Sequence, residues 1–249
     1  YSFYLKENQS HLFIEYVRGL YKVLERIQEK YPDVPMMLCS GGGGRCDYEA
    51  LKYFTEFWAS DNTDPVKRIF IQWGYSYFFP AKSISAHVTS MGNQSIKFRT
   101  DVAMMDKLGF DINMDKLTEA EREFCREAVQ NYKRLAPIIQ EGDQFRLVSP
   151  YGSNHAAVMY VAPGQDKAVL FAYDIFPQKY VERTYPIRLQ GLDPQRNYRV
   201  TEINKMDSLF TRPFVDDGKI FTGEYLMKIG LQAFSDIRES SRVIEITAQ

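Results

Sequence analysis

The sequence predicts an α/β fold: parallel βα units over roughly the first 146 residues, then a small antiparallel domain. Three observations carry this. Short apolar β-suited runs alternate with helical periodicity up to about residue 141, the helical pattern stops at Gly142, and alternating strands separated by turn residues follow. The expected division is 1–147 and 148–249.

Over residues 8–30, Leu12, Phe13, Tyr16, Val17, Leu20, Tyr21, Leu24 and Ile27 recur at threes and fours, an amphipathic helix that must end before Tyr31-Pro32. Strands are expected at 34–39, 56–59, 83–89 and 110–112. Helices are expected at 48–54, 65–77, 95–108 and 118–141, with Pro65 suited to a first helical turn. Thr118 and Glu121 spell a capping box at the head of the last helix. Beyond Leu147, strands are expected at 156–162, 168–176, 184–189, 198–202 and 242–247, with Gly-Gln-Asp-Lys, Phe-Pro-Gln and Gly-Leu-Asp-Pro as turns.

Composition sets the class. The 249 residues are 45% hydrophobic, enough to bury a substantial core, and 31 basic against 32 acidic side chains give no electrostatic reason for nucleic acid or an anionic membrane surface. The expected partner is therefore uncharged. Aromatics at 14% suit sugar binding through ring faces and suit a β-rich core equally. Cys39, Cys46 and Cys125 form neither a disulfide framework nor a zinc motif, which favours a reducing compartment such as the cytoplasm, with the periplasm left open. No basic-then-apolar leader opens the chain, and no apolar run approaches the ~18 residues of a membrane span.

Two strand ends carry the chemistry. The first expected strand runs into Cys39-Ser40-Gly41-Gly42-Gly43-Gly44-Arg45, where bare backbone can come within hydrogen-bonding reach of a small polar ligand. The second runs into Ser60-Asp61-Asn62-Thr63-Asp64 ahead of Pro65. A phosphate cradle would need Lys-Ser/Thr after the last glycine, and Arg45-Cys46 stands there; a plain turn is the bland reading. Asp64 before Pro65 suits a helix N-cap, whereas Asp61 lies too far from the helix start to cap it. The acidic cluster lacks the spacing of a calcium loop, so no metal is expected. His11, His87 and His155 are isolated in sequence, His87 being read as a core residue. Trp58 suits a sugar face or the core, and Trp73 with the 75–79 aromatics suits core or subunit contact.

Taken together, the Gly-rich block, Trp58-Ala59-Ser60-Asp61-Asn62-Thr63-Asp64, Ile71-Gln72-Trp73-Gly74-Tyr75-Ser76, His87-Val88-Thr89, Arg99-Thr100-Asp101-Val102-Ala103, Tyr132-Lys133 and Phe145-Arg146-Leu147 resemble the α-galactosidases of glycoside hydrolase family 36. The resemblance implies the C-terminal half of a (β/α)8 TIM barrel followed by an antiparallel β-sandwich, agreeing with about four βα units where a closed barrel needs eight. It implies retaining hydrolysis of terminal α-galactosides such as melibiose or raffinose without a cofactor, often by an oligomer. Asp61 becomes the general acid/base, its proton held by a neighbouring anionic nucleophile and partial burial, and Cys39, Gly41 and Gly42 become galactose contacts. The family's nucleophile sits in a Lys-Trp-Asp-Met/Ala-Asn motif that is absent from these residues and is expected upstream, which implies a fragment inactive by itself with two open sheet edges. Cys46, Glu49 and Ala50 depart from the family's Arg-Phe-Asp-x-Gly, at the pocket floor. An α-N-acetylgalactosaminidase, a galactosyl-transferring relative, and a non-catalytic sugar-binding module are the alternatives.

Overall fold

Our computed structural model describes residues 2–41, 43–176, 185–206, 212–235 and 237–249. It comprises two units, Tyr1–Trp58 and Ala59–Gln249.

In the first unit, a 3-10 turn (Gln9–His11) precedes α1 (Leu12–Lys30), so the expected helix starts four residues later than its polar lead-in. It stops where expected: the Tyr31 N–H closes on the Ile27 carbonyl at 2.8 Å and Pro32 follows. Of its apolar stripe only Leu24 is buried, while Phe13, Tyr16, Val17 and Ile27 are exposed. Strands β1 (Met37–Leu38) and β2 (Glu56–Trp58) pair in parallel, Leu38 opposite Phe57. The helix expected at 48–54 is a single 3-10 turn, Ala50–Lys52, because the Asp47 carboxylate takes the Ala50 N–H and the chain must return within a few residues to β2. Tyr21 of α1 donates to Asp47 at 2.8 Å and stacks on Tyr53 at 5.6 Å, fastening helix to loop.

The second unit opens with α2 (Pro65–Tyr75), β3 (Ile84–Thr89), α3 (Ile96–Ala103), β4 (Lys107–Asp111) and α4 (Glu119–Glu141). Strands β3 and β4 are parallel, as the alternation requires. The helix expected to run through 108 ends at Ala103, and the following strand starts at Lys107, three residues earlier than expected. Gly109 obscured that strand. It faces His87 across the pair, and a Cβ there would lie 2.4 Å from the imidazole Cδ2, so the ring occupies the space a side chain would take. The capping box at Thr118 forms in full.

Strands β5 (Asp143–Val148), β6 (His155–Val161), β7 (Lys167–Asp174), β8 (Asn197–Ile203), β9 (Ile220–Thr222) and β10 (Ser240–Ala248) form an antiparallel sheet in the order β5-β6-β7-β10-β8-β9. Both faces of its middle strands are buried. Ala156, Val158, Tyr160, Val169, Phe171 and Tyr173 pack with α2, α3 and α4, whereas Ala157, Met159, Val161, Ala168, Leu170 and Ala172 pack with Leu189, Phe214 and α5 (Gly223–Lys228). Side-chain alternation of period two thus produces two apolar cores from one continuous apolar run. Of the strand expected at 184–189, residue 184 lies outside the described residues; Ile187 makes a single bridge to Leu231. Trp73 and Phe79 are core residues, and Tyr77 lies under the Arg146 guanidinium at 4.3 Å.

Candidate active site

The turn between Ala59 and α2 is held by its own side chains. Ser60 Oγ accepts from Asn62 N at 3.1 Å, Asn62 Oδ1 accepts from Asp64 N at 3.1 Å, and Asp64 Oδ1 accepts from Lys67 N at 3.1 Å. Asp64 is therefore the N-cap of α2, with Pro65 as its first residue, as its sequence position predicts. Thr63 turns inward and meets the hydroxyl of Thr89, the last residue of β3, at 2.6 Å. Thr89 also accepts from Met91 N at 3.1 Å, and Arg99 of α3 donates to the carbonyls of Thr89 and Gly92 at 2.8 and 2.7 Å. At Gly92, with φ +83°, a Cβ would stand 2.3 Å from Gln94 Oε1 and 2.8 Å from Asp64 Oδ2, so a glycine meets both the backbone demand and the close approach of the two strand-end loops.

Between the two fastened ends sits Asp61, exposed. The expectation of partial burial is not met: Thr63 and the Ser60 carbonyl take the inward positions, leaving Asp61 at the outer apex. Behind the turn, the guanidinium of Arg68 donates to Ser60 O at 3.2 Å and to Ser85 O at 2.5 Å. Arg68 is only 2% exposed. Burial lowers the Arg68 pKa, and the charge of Asp106 opposes the shift. Burial in turn raises Asp106 to about 7, against the lowering effects of a Gln72 hydrogen bond and the Arg68 charge. Sequence reading gave no part to Arg68 and Asp106 and quoted Thr89 and Arg99 only within the family-like blocks, with no role in the turn. A detectable signal existed for the first: Arg68 and Gln72 stand four apart on the face of α2 that carries Ile69 and Trp73, where charge is costly unless paired.

In the first unit, Cys39 follows β1 directly and is an exposed free thiol. Gly41 adopts φ +60°, and a Cβ added there would have no neighbour within 4 Å, so the glycine meets a backbone demand and leaves open room above it. Gly42 lies outside the described residues. A cavity of about 190 Å³ is lined by Gly44 and Arg45 of this loop with Tyr16, Tyr21, Leu38 and Asp47. Arg45 donates to the Tyr16 hydroxyl at 2.8 Å. The candidate residues thus divide between the units, Cys39 and Gly41 in the first and Asp61 in the second. His155 is structural: its Nδ1 is 3.0 Å from Asp174 Oδ1, in the β6–β7 pair. Among the described residues no cluster of three His, Cys, Asp or Glu could hold a metal ion, and no helix is long and apolar enough to cross a membrane.

The melibiase family model matches residues 2–142, and the C-terminal domain of glycosyl hydrolase family 36 matches 155–246. The chain belongs to the melibiase family. α-Galactosidase 1 of Pediococcus pentosaceus is 36% identical over 232 residues, 90% of this chain and 29% of the relative. The galactosidase domain of the α-galactosidase–sucrose kinase AgaSK superposes with a TM-score of 0.84 at 32% identity, over 96% of this chain and 32% of that one. A Geobacillus stearothermophilus AgaA variant in complex with raffinose superposes with a TM-score of 0.82 at 30% identity, over 93% of this chain and 31% of that one. This melibiase chain therefore spans about a third of the length of the relatives it matches. Its parallel strand–helix part and its antiparallel sheet correspond to the barrel portion and C-terminal domain of the family 36 structures.

Proposed function

We propose that the protein hydrolyses terminal α-linked galactose with retention of configuration, that Asp61 is the general acid/base, and that Cys39, Gly41 and Gly42 contact the sugar. The observation that carries this reading is an exposed carboxylate at the apex of a turn tied down on both sides, in a chain whose relatives are named α-galactosidases. Such fastening holds a proton donor in place before substrate arrives. In a retaining enzyme the second carboxylate stands about 5 to 5.5 Å away, attacks the anomeric carbon, and leaves a glycosyl-enzyme that water opens with the acid now acting as base. We assign that nucleophile to a preceding part of a longer polypeptide. Residues 1–147 would belong with it to the catalytic barrel and 148–249 to the C-terminal domain, with assembly into a homo-oligomer.

The relative bound to raffinose supports a short neutral α-galactoside as the substrate class. The chain's near balance of charge is compatible with it. The test is hydrolysis of melibiose, raffinose and an aryl α-galactoside by the full-length protein, with the aryl α-N-acetylgalactosaminide as comparison. Release of galactose from the first three, with little from the last, is expected. Preference for the acetamido sugar would replace the galactosidase reading with the galactosaminidase one, and no turnover of any substrate would leave a sugar-binding module.

A further inference from the structure

Arg68 is a charged side chain placed where an aliphatic one would pack. Leaving water costs a guanidinium several kcal/mol, and α2 could have filled the same space with Leu or Met. What the guanidinium does that they could not is bridge two backbone carbonyls. One belongs to Ser60, the residue before Asp61, and the other to Ser85, near the start of β3. Asp106, 1% exposed, carries a charge interaction that opposes the lowering of the Arg68 pKa, and Gln72 one helical turn on hydrogen-bonds to Asp106 and to Val102 O at 3.0 Å.

We propose that Arg68 is a positioning residue for proton transfer by Asp61: by clamping the Ser60 carbonyl to the rigid β3 backbone, it fixes the direction in which the Asp61 carboxyl leaves the turn. This rests on the assignment of Asp61 as acid/base. Arg68 touches neither sugar nor leaving group in this arrangement, so its loss should spare galactose binding and impair the steps in which Asp61 moves a proton, seen in kcat/KM as poorer help to a poor leaving group.

The experiment is a leaving-group series in the full-length protein. kcat/KM and KM are measured for aryl α-galactosides from dinitrophenyl to unactivated phenyl, for wild type, Arg68→Met, Arg68→Lys and Asp61→Asn, with melting curves to confirm folding. For Arg68→Met we expect kcat/KM on the dinitrophenyl substrate within about 3-fold of wild type, a loss of about 10- to 100-fold on the phenyl substrate, and KM nearly unchanged on the phenyl substrate, where the first step limits turnover. Arg68→Lys, able to remake one of the two bonds, should fall between; if Arg68→Met does not fold, the lysine variant carries the comparison. A uniform loss across the series, or a series parallel to wild type, would overturn the positioning role. Asp61→Asn separates the two claims: if its series does not steepen, the acid/base assignment falls and the role of Arg68 with it.

Discussion

At Gly41 the backbone sits at φ +60°, where every side chain is strained although the space above is open. Gly41→Val should therefore raise KM for galactosides through a distorted loop and cost about 1 kcal/mol or more in stability of the loop-bearing unit; unchanged KM would remove Gly41 from the sugar site. Asp106 yields a pH prediction. Burial raises its folded pKa to about 7 from the ordinary 3.8, so between these values the native state binds more protons than the unfolded chain. Its contribution is full below about pH 4 and is lost as pH rises through about 7. Asn mimics the neutral acid, so Asp106→Asn should match wild type in melting temperature near pH 4, gain on it steadily up to about pH 7, and hold that gain above it. Parallel pH curves would contradict the raised pKa. The Asp64 cap was legible in sequence because an Asp directly before Pro65 suits a helix N-terminus. Asp106 and Thr89 were not legible, since each acts through a partner, Arg68 and Thr63 respectively, that only the tertiary fold brings near; the buried position of Arg68 could be read from its spacing to Gln72, but its partners Ser60 and Ser85 could not.

Among the elements, those with written boundaries were readable. The Thr118–Glu121 capping box marks the head of α4, and Thr118→Ala should cost about 1 kcal/mol, measured by denaturant unfolding of the full-length protein. Strands β6, β7, β8 and β10 fall within two residues of their expected limits because β-suited apolar runs and the turn residues that bound them agree there. The start of β4 was misread as helix because Met105, Asp106, Lys107 and Leu108 continue the spacing of α3, and Gly109 weakens the strand signal. The glycine exists for the His87 ring. Gly109→Ala should destabilise by about 1 to 3 kcal/mol, and His87→Ala in the same chain should restore much of that loss. Additive effects of the two substitutions would show that the ring is not the obstacle.

For the whole molecule, the two apolar cores on either side of β6, β7 and β10 make the antiparallel sheet the hub of the second unit, packed with α2, α3 and α4 on one face. Neither its doubly buried strands nor its irregular covering layer could be seen from period-two alternation, which assigns one face to solvent. The exposed apolar stripe of α1 and the roughly one-third coverage of relatives accord with our proposal that the catalytic machinery is shared with further polypeptide. The 249-residue chain by itself should therefore give no detectable turnover of an aryl α-galactoside under conditions where the full-length protein is active.

The most direct measurement is azide rescue of Asp61→Asn in the full-length protein, acting on dinitrophenyl α-galactoside. With the acid/base removed and the nucleophile intact, the good leaving group still departs, a β-galactosyl-enzyme accumulates, and azide opens it without base assistance. The expected product is α-galactosyl azide, with turnover rising by about 10-fold or more. Formation of β-galactosyl azide would show instead that Asp61 is the nucleophile, and no rescue at all would remove it from the chemistry.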